Sequence, residues 1–263
     1  MNHSTIRRPD PLTVALDAAR EAAAVLLDYA HRPLEIEEKS RRADIVTAAD
    51  RASEAVILGK LRGAFPNASV LAEESGRHEG TSDERWVVDP LDGTTNYAHG
   101  YPLYCISIGC ERAGELIAAV VYAPAIGECF AAERGAGARL NDAPISVSSI
   151  DRVADAMVCT GFHPADFPRN GKYFEAMSSH AQAVRRDGSA ALDLANTACG
   201  RFDGFWEWDL NPWDVAAGTL LVTEAGGRVT RIDGSPAALD SRSILATNAR
   251  IHEEMQGVLG AVQ

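Results

Sequence analysis

Residues 86–100 read WVVDPLDGTTNYAHG. Two carboxylates three positions apart, Asp89 and Asp92, follow the apolar run Trp86-Val87-Val88, and Gly93, Thr94 and Thr95 come directly after. Glu73 closes an earlier apolar run, and Asp214 stands beside a helix start far downstream. Oxygen-only ligands at the ends of apolar runs suit a hard cation, and Mg²⁺ in particular takes few carboxylates and keeps several waters. Gly93 permits close approach of backbone to a ligand, and amides 93–95 would face an anion if a helix starts there. The hydroxyl of Thr94 or Thr95 would orient a water. Two or three divalent ions beside such amides serve in-line phosphoryl transfer to water. A plainer reading stands beside this one. Asp, Gly, Pro and Asn are turn formers, so the stretch could be only a polar turn that closes a strand. Asp50, taken alone, reads as a solvent charge on a helix face, and Asp214 as a first-turn acid favoured by the helix dipole.

Elements that would hold these groups are legible in the hydropathy pattern. Pro11 to Ala30 and Ala48 to Phe65 have helical periodicity, the second ended by Pro66-Asn67. Ser69–Ala72 and Trp86–Val88 are short strand-like runs. From Leu103 to Val147 the runs LYCISIGC, LIAAVVYA and ECFAAERG, separated by Gly- or Pro-containing turns, predict an antiparallel sheet. After about Asp151 strand-like and helical pieces alternate: AMVCTG as strand, 171–184 as helix, SAALDLANTACG as helix, DGFWEW as strand, and 212–225 as a helix ended by Gly226-Gly227. In DGFWEW, Trp206 and Trp208 alternate with Glu207, so the tryptophans are expected on the opposite sheet face. The mixture gives an α+β or α/β layered sandwich with two lobes meeting near residue 150.

Composition bounds the function. With 263 residues, 46% apolar and 24% charged, the chain is an ordinary globular protein, and only the polar start, residues 1–10, looks disordered. A formal charge of -12 and a pI near 5.0 disfavour a nucleic-acid surface. They do not exclude an anionic substrate, because bound divalent cations invert the local potential. Five scattered cysteines without a C-x-x-C pair argue against a disulfide framework and a thiolate metal site, and each reads as a small core residue in a reducing compartment. The histidines form no zinc-type spacing. The alanine-rich segment 14–30 is broken by charges, so it is an amphipathic helix and neither signal peptide nor membrane span; the cytoplasm is the default. Gly135-Ala136-Gly137 has Leu140 where a dinucleotide loop needs its third glycine, and that reading is rejected.

Val70-Leu71-Ala72-Glu73-Glu74-Ser75, then WVVDPLDGTTNYAHG, then PWDVAAGTLLVTEAGG (212–227) resemble the successive signatures of the inositol monophosphatase family in order and separation. The likeness runs from about residue 11 to 260, and GSAALDLANTACGRFDGFWEWDLNPWD (188–214) is especially similar to the family's bacterial extragenic-suppressor branch. The resemblance implies a layered αβαβα sandwich of the inositol monophosphatase and sugar phosphatase type. It implies one phosphatase unit over 1–263, with a metal-binding lobe at about 11–150 and a lobe at 151–263 carrying substrate contacts and the last metal ligand. The activity implied is Mg²⁺-dependent hydrolysis of inositol monophosphate to inositol and phosphate by metal-activated water attack.

Carried over by position, the resemblance assigns Glu73, Asp89 and the Leu91 carbonyl to a first Mg²⁺, and Asp89, Asp92 and Asp214 to a second. Glu73 also serves a third, weakly held ion. Thr94, hydrogen-bonded to Asp50 of DIVTAAD (44–50), would position the attacking water together with Glu73. The amides of Gly93 and Thr94 would bind phosphate, while Gly188, Ser189, Ala190, Glu207 and Asp214 would meet polyol hydroxyls. Inhibition by Li⁺ and a homodimer are further implications. Departures from the family pattern fall outside the metal set: Asp187 where a neutral residue is usual, His163 and Asp166 in GFHPADF, and the bulk of Trp206 and Trp208 beside Glu207. Each bears on substrate choice, and histidinol phosphate, fructose 1,6-bisphosphate and phosphoadenosine phosphate remain alternatives to inositol monophosphate. A haloacid-dehalogenase phosphatase would need D-x-D-G-T. Here the spacing is D-x-x-D-G-T with Thr94 in place of the acid partner, so water attack is preferred over an aspartyl-phosphate. A reading from another class is a regulatory protein that binds the transcription machinery.

Overall fold

The protein is described from a computed structural model, over residues 9–32, 36–38 and 45–262. The disorder expected of the first residues falls almost wholly on 1–8, and Asp44 of DIVTAAD precedes residue 45; both lie outside the described residues. Helix α1 (Pro11–Tyr29) starts where Asp10 accepts a hydrogen bond from the Thr13 amide at 3.0 Å, with Pro11 in the first turn, where its missing N–H costs nothing. Its buried face is Ala15, Ala18, Ala19, Ala22, Ala23 and Leu26, small enough for close packing. The short strands β1 (Ile36–Glu38) and β2 (Ile45–Thr47) pair antiparallel and lead into α2 (Ala48–Ala64). Next come β3 (Ser69–Ala72), β4 (Gly76–His78), β5 (Glu84–Asp92) and the single-turn helix α3 (Thr94–Ala98). A meander follows: β6 (Cys105–Arg112), β7 (Glu115–Ala123), β8 (Glu128–Glu133), β9 (Gly137–Leu140) and β10 (Ala143–Ile145).

The remainder alternates: β11 (Met157–Thr160), α4 (Phe167–Ser178), β12 (Ala183–Arg185), α5 (Ala190–Ala198), β13 (Gly204–Trp208), α6 (Pro212–Glu224), β14 (Arg228–Thr230), β15 (Ser243–Thr247) and α7 (His252–Gly260). Eight strands form one sheet in the order β10-β9-β8-β7-β6-β5-β3-β4, antiparallel except where β3 runs parallel to β5. Five form the other, β12-β11-β13-β15-β14, with β11 parallel to both its neighbours. Helices α1 and α2 cover one face of the large sheet through Leu26, Ile57, Leu61, Trp86, Ile106 and Val120. Helices α5 and α6 fill the space between the sheets, where Leu194 and Leu221 share a core with Val121, Phe130 and Phe205. Helices α4 and α7 close the far face of the small sheet. The result is five layers, αβαβα, each apolar face buried against the next.

Most expected elements are present, and one is corrected. In place of a helix over 171–184, α4 runs 167–178 and β12 occupies 183–185. Pro168 sits in the first turn, where proline fits, so the helix begins earlier; the tail of the expected helix is taken by parallel pairing of Ala183–Arg185 with Met157–Cys159. Trp206 and Trp208 pack toward α4 and α7 while Glu207 faces the other way, as the alternation predicts. Gly135 and Gly137 donate their amides to the Glu224 carboxylate, a structural role for that glycine pair. All five cysteines are free, and among the described residues no helix is long and apolar enough to cross a membrane.

His252 ties α7 to the small sheet. It is fully buried, with Nε2 at 2.9 Å from the Thr230 hydroxyl and Nδ1 at 2.9 Å from that of Thr247. Burial pushes its pKa down from 6.5 to about 4. The unfolded chain takes up a proton that the folded chain refuses in that window. The stability is therefore present above pH 6.5 and lost as pH falls toward 4, by on the order of 3 kcal/mol in all. His252→Gln should lower stability at neutral pH and flatten this acid-side decline, measured by denaturant unfolding over the same pH range.

Candidate active site

The two carboxylates of DPLD converge because the strand carrying them is irregular. Side chains three apart on a regular strand point to opposite faces. In β5, Asp89 pairs with Ser107 and Asp92 with Cys105, so three steps on β5 match two on β6. This one-residue bulge turns Asp89 and Asp92 to the same face, the one that looks at α5 and α6. Pro90 suits the bulge because it has no ladder donor to lose, and its carbonyl accepts from Ser53 Oγ at 2.8 Å. Asp89 Oδ1 accepts from the Leu91 amide at 3.0 Å, which fixes the carboxylate against its own loop. The Leu91 side chain is buried under α1 and α2. The chain then reverses at Gly93, whose φ is 89° and whose absent Cβ would stand 3.0 Å from the Leu103 carbonyl.

Two more acids reach this point from helix starts. Asp50 is the third residue of α2 and wholly buried; its Oδ2 accepts from the amide and hydroxyl of Thr47 at 2.8 and 2.6 Å, a capping box. Its other oxygen, Oδ1, lies 3.2 Å from Thr94 Oγ1, which also lies 3.0 Å from the Leu91 carbonyl. The solvent-charge reading of Asp50 therefore fails. Asp214 holds the same position in α6, its Oδ2 accepting from the Asn211 amide at 2.7 Å. It is a first-turn acid and a member of the cluster at once. Glu73 follows β3, with its amide bonded to the Val88 carbonyl at 3.1 Å.

Asp92 Oδ2 accepts from Ser189 Oγ at 2.8 Å and from the Ala191 amide at 2.7 Å, with Cys105 Sγ at 3.8 Å. The Ser189 hydroxyl is thus committed to Asp92, and Gly188 is the exposed member of the Gly188-Ser189-Ala190 group. Glu207 is buried against Gly161, where a Cβ would fall 2.3 Å from Oε2; only glycine leaves that space. Asn96 was not singled out by sequence. Its Nδ2 donates to the carbonyls of Leu103 at 2.6 Å and Asp187 at 2.8 Å, tying α3 to the segment before Gly188. Its place in the TTNYA turn was the available signal.

The electrostatics are those of crowded anions. Burial raises Asp89 well above the carboxylate range, and Glu73, Asp92 and Asp214 push it further. Asp214 is raised by burial and then by Asp92, and Glu207 by burial and then by Asp214 and Asp92. Asp92 reaches about 6, burial outweighing its bonds from Ser189 and Ala191. Arg186 and Arg242 act on Glu207 and Asp214 without reversing the shift. A hard divalent ion removes this repulsion, and the donors are oxygens only, so the residues fit such an ion. A separate group, Cys159, Asp187 and Asp193, has its donor atoms all within 4.8 Å of one another. The sequence marked only its Asp187, as a departure in the substrate segment.

Comparisons with known proteins identify the family by sequence and by fold. A model of the inositol monophosphatase family matches residues 9–262. An inositol-1-monophosphatase of Synechocystis sp. is 43% identical over 255 residues, covering 95% of this chain and 88% of the relative. The Nus factor SuhB of Pseudomonas aeruginosa is 41% identical over 249 residues, covering 91% and 92%. The extragenic suppressor protein suhB of Bartonella henselae superposes with a TM-score of 0.91 at 39% identity, covering 95% of this chain and 98% of that one. With these relatives, this fold and this cluster of carboxylates, the chain belongs to the inositol monophosphatase family.

Proposed function

We propose that the chain is a Mg²⁺-dependent phosphomonoesterase that hydrolyses inositol monophosphate to inositol and phosphate. The observation that carries this reading is the bulge-aligned pair Asp89 and Asp92 beside a Thr94 hydroxyl held by Asp50. The relatives named inositol-1-monophosphatase support the substrate. Glu73, Asp89 and the Leu91 carbonyl would hold a first ion, Asp89, Asp92 and Asp214 a second, and Glu73 a third. Bound Mg²⁺ supplies positive charge that acidifies a water and offsets the charge of the phosphoryl oxygens. Thr94 gives its proton toward Asp50 and Leu91, so its oxygen lone pair is left to accept from a water and orient it. Glu73 would take that water's proton. The amides of Gly93 and Thr94 would cradle the phosphate, and Gly188, Ala190 and Glu207 would read the hydroxyls. In this division the part before residue 150 would hold the phosphate and most of the metal ligands, and the part after it would meet the alcohol and add the last metal ligand, Asp214. Inhibition by Li⁺, a homodimer and a cytoplasmic setting belong to the same reading.

A second reading, regulatory binding to the transcription machinery, is favoured by relatives named Nus factor SuhB. It predicts that Asp89→Asn, blind in catalysis, still retains the partner that wild type captures from lysate.

Three outcomes test the enzyme. Asp89→Asn should lose turnover by orders of magnitude while the metal-free protein melts no lower than wild type, since one repelling charge is gone; near-normal kcat in the folded variant would sink the mechanism. Thr94→Ala should lower kcat by about 10²–10⁴-fold with little change in KM, the pattern of a lost water-orienting group. Among inositol monophosphate, histidinol phosphate, fructose 1,6-bisphosphate and phosphoadenosine phosphate, the first should have the highest kcat/KM. A clear preference for histidinol phosphate would replace the substrate and leave the phosphate chemistry standing.

A further inference from the structure

Behind the segment that carries Gly188, three groups from three different parts of the chain converge. Cys159 comes from β11, Asp187 from the turn after β12, and Asp193 from the first turn of α5. Cys159 Sγ and one carboxylate oxygen from each aspartate lie within 4.8 Å of one another. Asp193 is 1% exposed, and neither of its oxygens has a hydrogen-bond partner among the described residues. Cys159 is fully buried, while Asp187 is half-buried and opens the cluster to solvent.

A buried carboxylate without a partner costs several kcal/mol unless something neutralises it. The two arginines nearest in sequence are Arg185, which acts on Asp187, and Arg186, which donates to the Phe162 carbonyl and stacks 4.6 Å over its ring. A proton would satisfy one oxygen of Asp193 and leave the thiol and the second carboxylate aimed at the same point. A cation satisfies all three donors together. A sulfur donor makes Mg²⁺ a poor occupant and favours a softer ion.

We propose that Cys159, Asp187 and Asp193 bind one divalent cation of the zinc class, separate from the carboxylate set of the candidate active site. Two carboxylates and one thiolate give three of four tetrahedral positions, and a water reached past Asp187 gives the fourth. Donors around such an ion stand roughly 3.5 Å apart, so the cluster closes by small side-chain movements. Binding releases the Cys159 thiol proton, and any proton on Asp193, to solvent. The occupied site would fix the turn before Gly188, whose Asp187 carbonyl also receives Asn96.

Co²⁺ is the probe, because a thiolate ligand gives a near-ultraviolet charge-transfer band that carboxylates alone do not. Full-length protein, stripped with a chelator, returned to excess Mg²⁺ to fill the carboxylate set and then titrated with Co²⁺, should show this band saturating at one equivalent, and Zn²⁺ should bleach it. Cys159→Ser should abolish the band. Asp193→Asn, which keeps the thiol and the side-chain volume, should weaken Co²⁺ binding by about tenfold or more. Cys105→Ser, which removes the thiol beside Asp92, should leave the band intact. No band in wild type, a band surviving Cys159→Ser, or a band lost in Cys105→Ser would each overturn the assignment. Circular dichroism of every variant establishes that the fold is intact.

Discussion

Asp89 and Asp92 can act together only because β5 carries one residue more than β6 between them. Without that residue the two carboxylates would lie on opposite faces, one toward α6 and one in the apolar layer under α1 and α2. The bulge is held from several directions: by Ser53 on the Pro90 carbonyl, by the Leu91 amide on Asp89, and by the Leu91 side chain in the core. Each contact is modest, but together they leave the strand no alternative register. The site inherits its rigidity from the sheet and its irregularity from a proline.

A second constraint is the price in electrostatics of drawing so many acids into one place. Capping boxes on α2 and α6 and the pair of bonds from α5 to Asp92 give the carboxylates partners that do not depend on any ion. They do not cancel the repulsion, as the raised Asp89 and Asp214 show. The scaffold tolerates the cluster, and a cation completes it.

Much of this was legible in the sequence, and the limits have physical causes. The Gly-Thr turn, the Asp spacing and the helix-initial Asp214 were visible because turns and caps use few residue types for local steric reasons. The bulge was not, since D-x-x-D looks the same on a regular strand. Asp50 looked like a solvent charge because its burial comes from tertiary contact with Thr94, 44 positions away. The tail of the expected helix over 171–184 was lost to pairing with β11, a long-range contact that periodicity does not carry. Asp193 reads as an ordinary helix residue inside LDLAN, although an acid among buried neighbours is itself a signal.

The capping boxes have one further consequence. Asp50 and Asp214 sit in the first turns of α2 and α6, and helix ends are the parts of a helix that fray first. When either end opens, a cap and a site carboxylate move together. Heat should therefore disassemble the catalytic arrangement by local fraying while the five layers are still packed, making the site a more sensitive thermometer than the fold that supports it.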